Sequence, residues 1–505
     1  MFARTYGATT LGLHGNVITV ETDISNGLPA FEIVGLAATS VKESKERVRS
    51  AMKNSGYEFP MRRITVNLAP ADLKKDSAGL DAAIAVGIMV SSGQIPAEKC
   101  SHILFIGELA LDGCVRPVTG VLSMILQCVS AGFQTVFVSR ENAAEALLCN
   151  EITVYAVSYL QEIIGHLLGT ALLLPAASDC SFQDEPVYTV DFSEVQGQFT
   201  AKRALEIAAA GGHNVLLIGP PGSGKTMLAK RIPTILPLMN MQEALEVTKI
   251  YSVAGLFHQK TMLTARPFRS PHHTISTAGL IGGGTIPKPG EVTLSHNGVL
   301  FLDELPEFPR SVLEVLRQPL EDFVVNIARV NATLTYPAGF VLIAAMNPCP
   351  CGYLDDPDHP CTCTSGEIRR YARKISGPLL DRIDLHVQVE RPKYDELITE
   401  MPQESSADIR RRVIAARLCQ EERLKSYGIS CNAYMGHREI KETCGMTKEA
   451  QQILHQVFDK MKLSARSYDR IIKVSRTIAD LGGAAEIRDS HIAEAVSYRN
   501  TLQRM

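Results

Sequence analysis

The segment His213–Ile232, HNVLLIGPPGSGKTMLAKRI, constrains this chain more than any other. Asn214–Ile218 is an apolar run short enough for a buried strand. The residues after Thr226 have helical spacing. Between them, Gly219-Pro220-Pro221-Gly222-Ser223-Gly224-Lys225-Thr226 matches GxxxxGK[ST] in the strand-to-helix context that the motif requires. Glycines there let backbone N–H groups turn inward around phosphates. The helix that follows adds the positive end of its dipole. Lys225 is expected to reach the β- and γ-phosphates of ATP, and Thr226 to ligate Mg²⁺.

Two later strands are expected beside this loop. Gly298–Leu305, GVLFLDEL, is an apolar run ending in two carboxylates. A buried strand would deliver Asp303 to the Mg²⁺ shell, and Glu304 could polarise the attacking water. Phe340–Met346 is followed by Asn347. An Asn after a strand is ordinarily a turn former. At this position it is also a candidate for holding the γ-phosphate or the water. Arg382, in SGPLLDRIDLHV, has two readings. It is either a structural ion-pair partner or an arginine supplied to a neighbouring subunit's transition state.

The cysteines divide in the same informative way. Of twelve, four cluster as Cys349-Pro-Cys351 and Cys361-Thr-Cys363, in the form C-x-C-x₉-C-x-C. Four thiolates in two close pairs can surround a structural Zn²⁺ tetrahedrally. An iron–sulfur group and a set of free thiols are the alternatives. Cysteine is too sparse elsewhere for a disulfide scaffold. The N-terminus lacks a basic region followed by an apolar core, so no signal peptide is expected. The most apolar runs, Ala82–Val90 and Ile163–Ala177, are shorter than the roughly 20 residues of a membrane-spanning helix. A cytoplasmic protein without a membrane partner is expected. With 51 basic and 54 acidic side chains the net charge is −3, so any nucleic acid must be held by local patches or a pore.

The chain reads as α/β in three parts. Residues 1–168 mix strands (Ile64–Pro70, His102–Leu109, Thr135–Arg140) with helices. One of these is expected to open at a capping box, Ser40–Glu43, and to stop at Gly56. Residues 169–192 read as a linker, 193–390 as the nucleotide-binding core, and 391–505 as a helical lid. Helices in the lid are expected over Arg410–Lys425, Thr447–Lys460, Ala465–Leu481 and Asp489–Leu502.

Several long segments resemble the ComM (YifB) family of Mg-chelatase-like AAA+ ATPases. They are DFSEVQGQ at Asp191–Gln198, GPPGSGKT, RPFRSPHHT at Arg266–Thr274 and PKPGEVTLSHNGVLFLDELPEF at Pro287–Phe308. AAMNPCPCG at Ala344–Gly352, SGPLLDRIDLHV at Ser376–Val387 and LSARSYDRIIKVSRTIADL at Leu463–Leu481 complete the set. The resemblance implies Walker A roles for Lys225 and Thr226, Walker B roles for Asp303 and Glu304, and a sensor 1 role for Asn347. It implies an arginine finger at Arg382 and a sensor 2 arginine at Arg466, with Arg470 as rival. It further implies a hexameric ring and ATP-driven branch migration on single-stranded or branched DNA, in homologous recombination and natural transformation. A chelatase-type or chaperone-like remodeller of a protein partner is the alternative. The magnesium chelatase motor is expected to lack the N-terminal domain and the cysteine loop.

The N-terminal segment resembles the Lon-protease-like domain of ribosomal protein S5 domain 2 type. Ser77, in Leu73–Gly87, stands where Lon carries its nucleophile, or is a helix cap. Leu122, in Thr119–Met124, stands where Lon carries its lysine. A serine without its base is a weak nucleophile, so the domain is expected to be peptidase-inactive. The family often has Gly where Asp355 stands. The basic run Arg369–Lys374 is either a solvated helix face or a patch that holds DNA phosphates without sequence preference.

Overall fold

The computed structural model describes residues 1–36, 38–75, 78–177, 186–259, 261–284, 288–329, 332–354, 356, 359–391 and 403–499. Ser77, Asp355 and the expected helix end at Leu502 lie outside the described residues.

The N-terminal part is built on a seven-stranded mixed sheet. Its strands are β1 (Phe2–Leu11), β2 (His14–Ser25), β3 (Ala30–Val34), β4 (Arg63–Ala69), β5 (Ile103–Ile106), β6 (Thr135–Ser139) and β7 (Thr153–Val157), in the order β3-β4-β2-β1-β5-β6-β7. The two longest strands, β1 and β2, were not among the expected ones. They form an antiparallel hairpin in register from Phe2↔Asp23 to Leu11↔His14, turning at Gly12–Leu13. The apolar run 82–90 lies in a helix, Asp81–Ser91, whose eleven residues are all buried. That accounts for a stretch apolar on every face: it is a core helix.

One local expectation fails. Ser40 lies within a short helix, Thr39–Lys42, and Glu43 makes no capping hydrogen bond. The longer helix opens at Ser44 and runs to Asn54; the Ser44 hydroxyl is drawn to the buried Asp81 carboxylate. Gly56, at φ +83°, does follow the helix end.

The central part is a five-stranded, wholly parallel sheet of β8 (Val215–Ile218), β9 (Phe268–Arg269), β10 (Val299–Leu302), β11 (Val341–Met346) and β12 (Leu385–Gln388). Its order is β9-β10-β11-β8-β12, so the first strand lies between the fourth and the fifth. Every residue of β8, β10 and β11 is buried, as strands covered on both faces must be. Val215, Leu217, Phe301 and Ile343 face one core, shared with Phe199–Gly211 and the C-terminal helices. Leu216, Leu300, Leu302 and Leu342 face another, shared with Phe308 and the hairpin Val324–Arg329/Ala332–Pro337.

The C-terminal part is helical: Ser406–Leu424, His437–Thr443, Lys448–Met461, Ala465–Leu481 and Asp489–Ser497. The second of these was not expected; at seven residues it is too short for a periodic signal. The N-terminal sheet is tied to the centre through Glu145. Its buried carboxylate accepts the Leu122 N–H at 2.8 Å and the hydroxyl of Ser252, in the helix Met241–Ala254. Burial pushes the Glu145 carboxyl above the ordinary carboxylate range.

Candidate nucleotide site and cysteine knuckle

In parallel α/β sheets, ligands bind beyond the carboxyl ends of the strands. Three of those ends meet here. Gly219 follows β8, Asp303 follows β10 and Asn347 follows β11. Gly222 and Gly224 turn the loop at φ +78° and +87°, where an L side chain would be strained. Gly224 caps the helix Lys225–Ile235, whose first N–H groups open onto the loop.

Lys225 lies largely buried inside this turn. Its Nζ donates to Gly219 O at 2.7 Å and Pro220 O at 2.9 Å, and lies 3.3 Å from Asn347 Oδ1 and 3.5 Å from Ser223 Oγ. Burial pushes its pKa down, opposed by the field of Asp303. Thr226 Oγ1 donates to Asp303 Oδ2 at 2.7 Å. That pair places a hydroxyl and a carboxylate side by side, the donor set by which such sites hold Mg²⁺ through hydroxyl and carboxylate oxygens. The residues therefore fit ATP with its Mg²⁺.

Glu304 adopts a left-handed conformation, φ 52°. Its carboxylate is 59% exposed and lies 3.5 Å from Nδ1 of His273. His273 was not singled out from the sequence, although it lies in RPFRSPHHT. Only the neighbouring position of β9 and β10 brings it to Glu304.

Arg382 is not at this end of the sheet. Leu385, three residues after it, pairs with Val215 at the start of β8, whereas the loop follows Ile218. Arg382 and Gly219 therefore lie at opposite ends of neighbouring strands. Arg382 is 5% exposed and donates to Pro378 O at 2.7 Å and to the Glu321 carboxylate. Arg466, 65% exposed, pairs with Glu321 at 3.5 Å. Arg470 pairs with the buried Asp384 at 3.2 Å. The three arginines thus gather at the end of the sheet opposite the phosphate loop. The Asp384 carboxyl is held well below its usual range by Arg470 and His213, against the cost of burial.

The four cysteines of the cluster converge: Cys349, Cys351, Cys361 and Cys363 have Sγ atoms within 4.8 Å of one another. The Cys349–Cys351, Cys351–Cys361 and Cys349–Cys361 separations are 3.3, 3.6 and 3.7 Å. A tetrahedron with Zn–S of about 2.3 Å needs sulfurs about 3.8 Å apart, so the set fits Zn²⁺. Backbone N–H groups of Tyr353 and Thr362 lower the Cys351 thiol to about 6, whereas burial pushes Cys349 up to about 12. The knuckle leans on the phosphate loop. Tyr353 stacks on His359 with centroids 5.1 Å apart, Arg391 lies over Tyr353 at 5.5 Å, and Arg391 donates to Pro221 O at 3.4 Å. Arg369–Lys374 lies mostly in the helix Ser365–Ala372; Lys374 pairs with Glu307 at 3.1 Å.

A five-stranded parallel sheet in this order, with a P-loop after its first strand and a helical C-terminal part, defines an AAA+ protein of the magnesium-chelatase type. A family model described as magnesium chelatase, subunit ChlI, matches residues 191–397, and its C-terminal counterpart matches 403–499. A further model, subunit ChlI of Mg-chelatase, matches residues 20–142, so the N-terminal part does not by itself set the chain apart from that group. YifB of Salmonella typhimurium is 45% identical, across 97% of this chain and 95% of that protein. Competence protein ComM of Haemophilus influenzae is 43% identical, across 98% and 97%. Lon protease of Mycolicibacterium smegmatis is similar over a shorter stretch, 29% identical over 144 residues. The chain belongs to the YifB/ComM family of Mg-chelatase-like AAA+ proteins. That family implies ATP and Mg²⁺. Among the described residues, no helix is long and apolar enough to cross a membrane.

Proposed function

We propose that this chain is an ATP-driven DNA translocase, a branch-migration helicase acting in homologous recombination and natural transformation. The ATP half of the reading is carried by one constellation: Lys225 beside Asn347, and Thr226 bonded to Asp303. Lys225 and the loop N–H groups hold the phosphates, and Thr226 and Asp303 hold Mg²⁺. Asn347 orients the water that Glu304 polarises. The DNA half is supported by similarity over nearly the whole chain to a protein named for competence.

The ring half is supported by Arg382. It lies at the end of the sheet away from its own nucleotide, as an arginine that serves a neighbour's site must. Arg466, with Arg470 as its rival, is the sensor 2 candidate at the same end of the sheet. The reading includes a hexamer of cytoplasmic subunits, which the family resemblance supports. Residues 1–168 are a peptidase-inactive Lon-like domain, 169–192 a linker, 193–390 the motor core and 391–505 its lid. Leu122, at the position of Lon's lysine, is buried and its N–H is taken by Glu145. The four-cysteine knuckle holds structural Zn²⁺.

The alternative, a remodeller of a protein partner, is favoured by the chelatase names of the matching family models. ATPase assays with and without single-stranded, duplex and forked DNA separate the two. Stimulation by DNA, strongest with single strands or branches, is the expected result. No stimulation together with no gel shift would remove the helicase reading.

A further inference from the structure

Charge is unevenly placed in the N-terminal part. Between residues 42 and 75 lie nine of the thirteen Lys and Arg of residues 1–177, but only four of the sixteen Asp and Glu. An acidic chain thus carries a local positive region. Three of the nine cations are spent within the fold. Arg47 pairs with the buried Asp81 at 2.6 Å, Arg63 with Glu32 at 3.7 Å, and the buried Lys75 donates to Pro70 O. Lys42, Lys45, Arg49, Lys53 and Arg62 have no carboxylate at ion-pair distance among the described residues.

Four of these five share one face. Lys42 ends the short helix Thr39–Lys42, Glu43 keeps a right-handed helical backbone, and the helix Ser44–Asn54 follows. Spacings of three, four and four residues then align Lys42, Lys45, Arg49 and Lys53. At 1.5 Å per residue the row is about 16 Å long. The apolar side of the helix, Val48, Ala51 and Met52, is buried in the core. Arg49 lies over the Phe59 ring at 5.8 Å, and Phe59 meets Phe31 of β3 at 5.8 Å between centroids. β3 is the outer strand of its sheet. Arg62 is beside its start, where Ala30 N–H donates to Arg62 O at 3.4 Å. Phe31 is partly buried there, and Met61 is 63% exposed. Glu43, Glu46 and Glu58 are the exposed carboxylates along the same stretch.

We propose that this face of the N-terminal part binds single-stranded DNA. The row of cations holds phosphates without sequence preference, and Phe31 and Met61 offer apolar surface to unstacked bases. The proposal rests on the reading above in taking DNA as the partner, and it places a strand on the part of the chain that has no phosphate loop. A basic helix that lies on a membrane needs an apolar face to insert, and here that face is already packed in the core.

Fluorescence anisotropy of a labelled oligothymidylate with the full chain, across salt concentrations, tests this. Log affinity for a single strand falls with log salt by about 0.7 per phosphate neutralised. Lys45→Gln combined with Lys53→Gln should therefore flatten the slope by about 1.4. The loss should be the same for a mixed-sequence strand, with ATPase in the absence of DNA unchanged. Lys42→Gln combined with Arg62→Gln provides the test if the first variant unfolds. Lys99→Gln combined with Arg140→Gln removes two exposed charges beside β5 and β6 of the same sheet, and should keep the wild-type slope. An unchanged slope in the folded Lys45/Lys53 variant, or equal flattening in the Lys99/Arg140 control, would overturn the surface. Stimulation of the wild-type ATPase by DNA would leave the motor reading standing in that case. A wild-type chain that neither binds nor responds to DNA would remove both. Sedimentation with phosphatidylserine vesicles, lost in the Lys45/Lys53 variant while its oligonucleotide slope stays wild type, would reassign the face to a membrane.

Discussion

Gly352 sits against Pro221 so closely that a Cβ on it would lie 2.6 Å from Pro221 Cδ. The cysteine knuckle and the phosphate loop are therefore one packed unit, joined also by Arg391 to Pro221 O. Purified protein should carry about one Zn²⁺ per chain, lost in Cys361→Ser, as a four-thiolate site requires. Because the knuckle braces the loop, metal loss should also raise KM for ATP. Metal analysis and ATP titration of the same preparation check both, and an unchanged KM after complete metal loss would separate the two sites.

Lys225 and Glu304 should fail in different ways. Charge-assisted hydrogen bonds contribute about 1.5–3 kcal/mol, so Lys225→Ala should weaken ATP binding about 10- to 100-fold. Glu304→Gln should bind ATP normally but lower kcat by about 10²-fold or more, the scale of a lost proton-transfer group. Nucleotide binding by fluorescence and turnover by phosphate release resolve the two effects.

Arg382 acts across an interface if it acts on ATP at all. Arg382→Ala should lower kcat about 10³-fold, the lower end of what an arginine finger supplies. Glu304→Gln subunits retain Arg382, and Arg382→Ala subunits retain the phosphate loop. Mixing the two inactive variants should therefore restore turnover well above either alone. Lack of recovery in rings shown to contain both would argue for a structural Arg382.

Glu145 predicts a pH dependence. Burial raises its folded-state pKa above the unfolded value. Its protonated form is thus favoured on folding, and that contribution is complete below the ordinary carboxylate range. It is lost as pH rises from the unfolded pKa through the raised one. Glu145→Gln keeps an oxygen for Leu122 N–H and for Ser252 while removing the charge. Its Tm should exceed that of wild type at pH 8, and the gap should close toward pH 4. Thermal melts at both values check the sign.

Much of the centre was legible because its signals are local. The P-loop, the run ending in Asp303–Glu304 and the run ending in Asn347 are each an apolar strand followed by chemistry, and the structure puts all three at one end of a sheet. The N-terminal hairpin was less legible. β1 and β2 bury alternate residues over only part of their length, so their period is weak. The helix starts at Ser44 rather than at the Ser40–Glu43 pattern, and the contact that Ser44 makes there, with Asp81, is distant in the chain and leaves no local signal. His273 carried no signal of its own; it is one histidine of a polar loop until β9 is placed beside β10.

The sequence by itself determined the chemistry available: a phosphate loop, two carboxylates after a strand, four clustered thiols, and the family they belong to. These follow from residue types at short spacings, which local geometry converts directly into structure. The tertiary structure alone decided direction. It turned Asp303 toward Thr226 and Glu304 toward His273. It set Arg382 at the far end of the sheet, beside Glu321, and pressed Gly352 onto Pro221. Such relations depend on strand order and on contacts between residues far apart in the chain, and no local pattern encodes them.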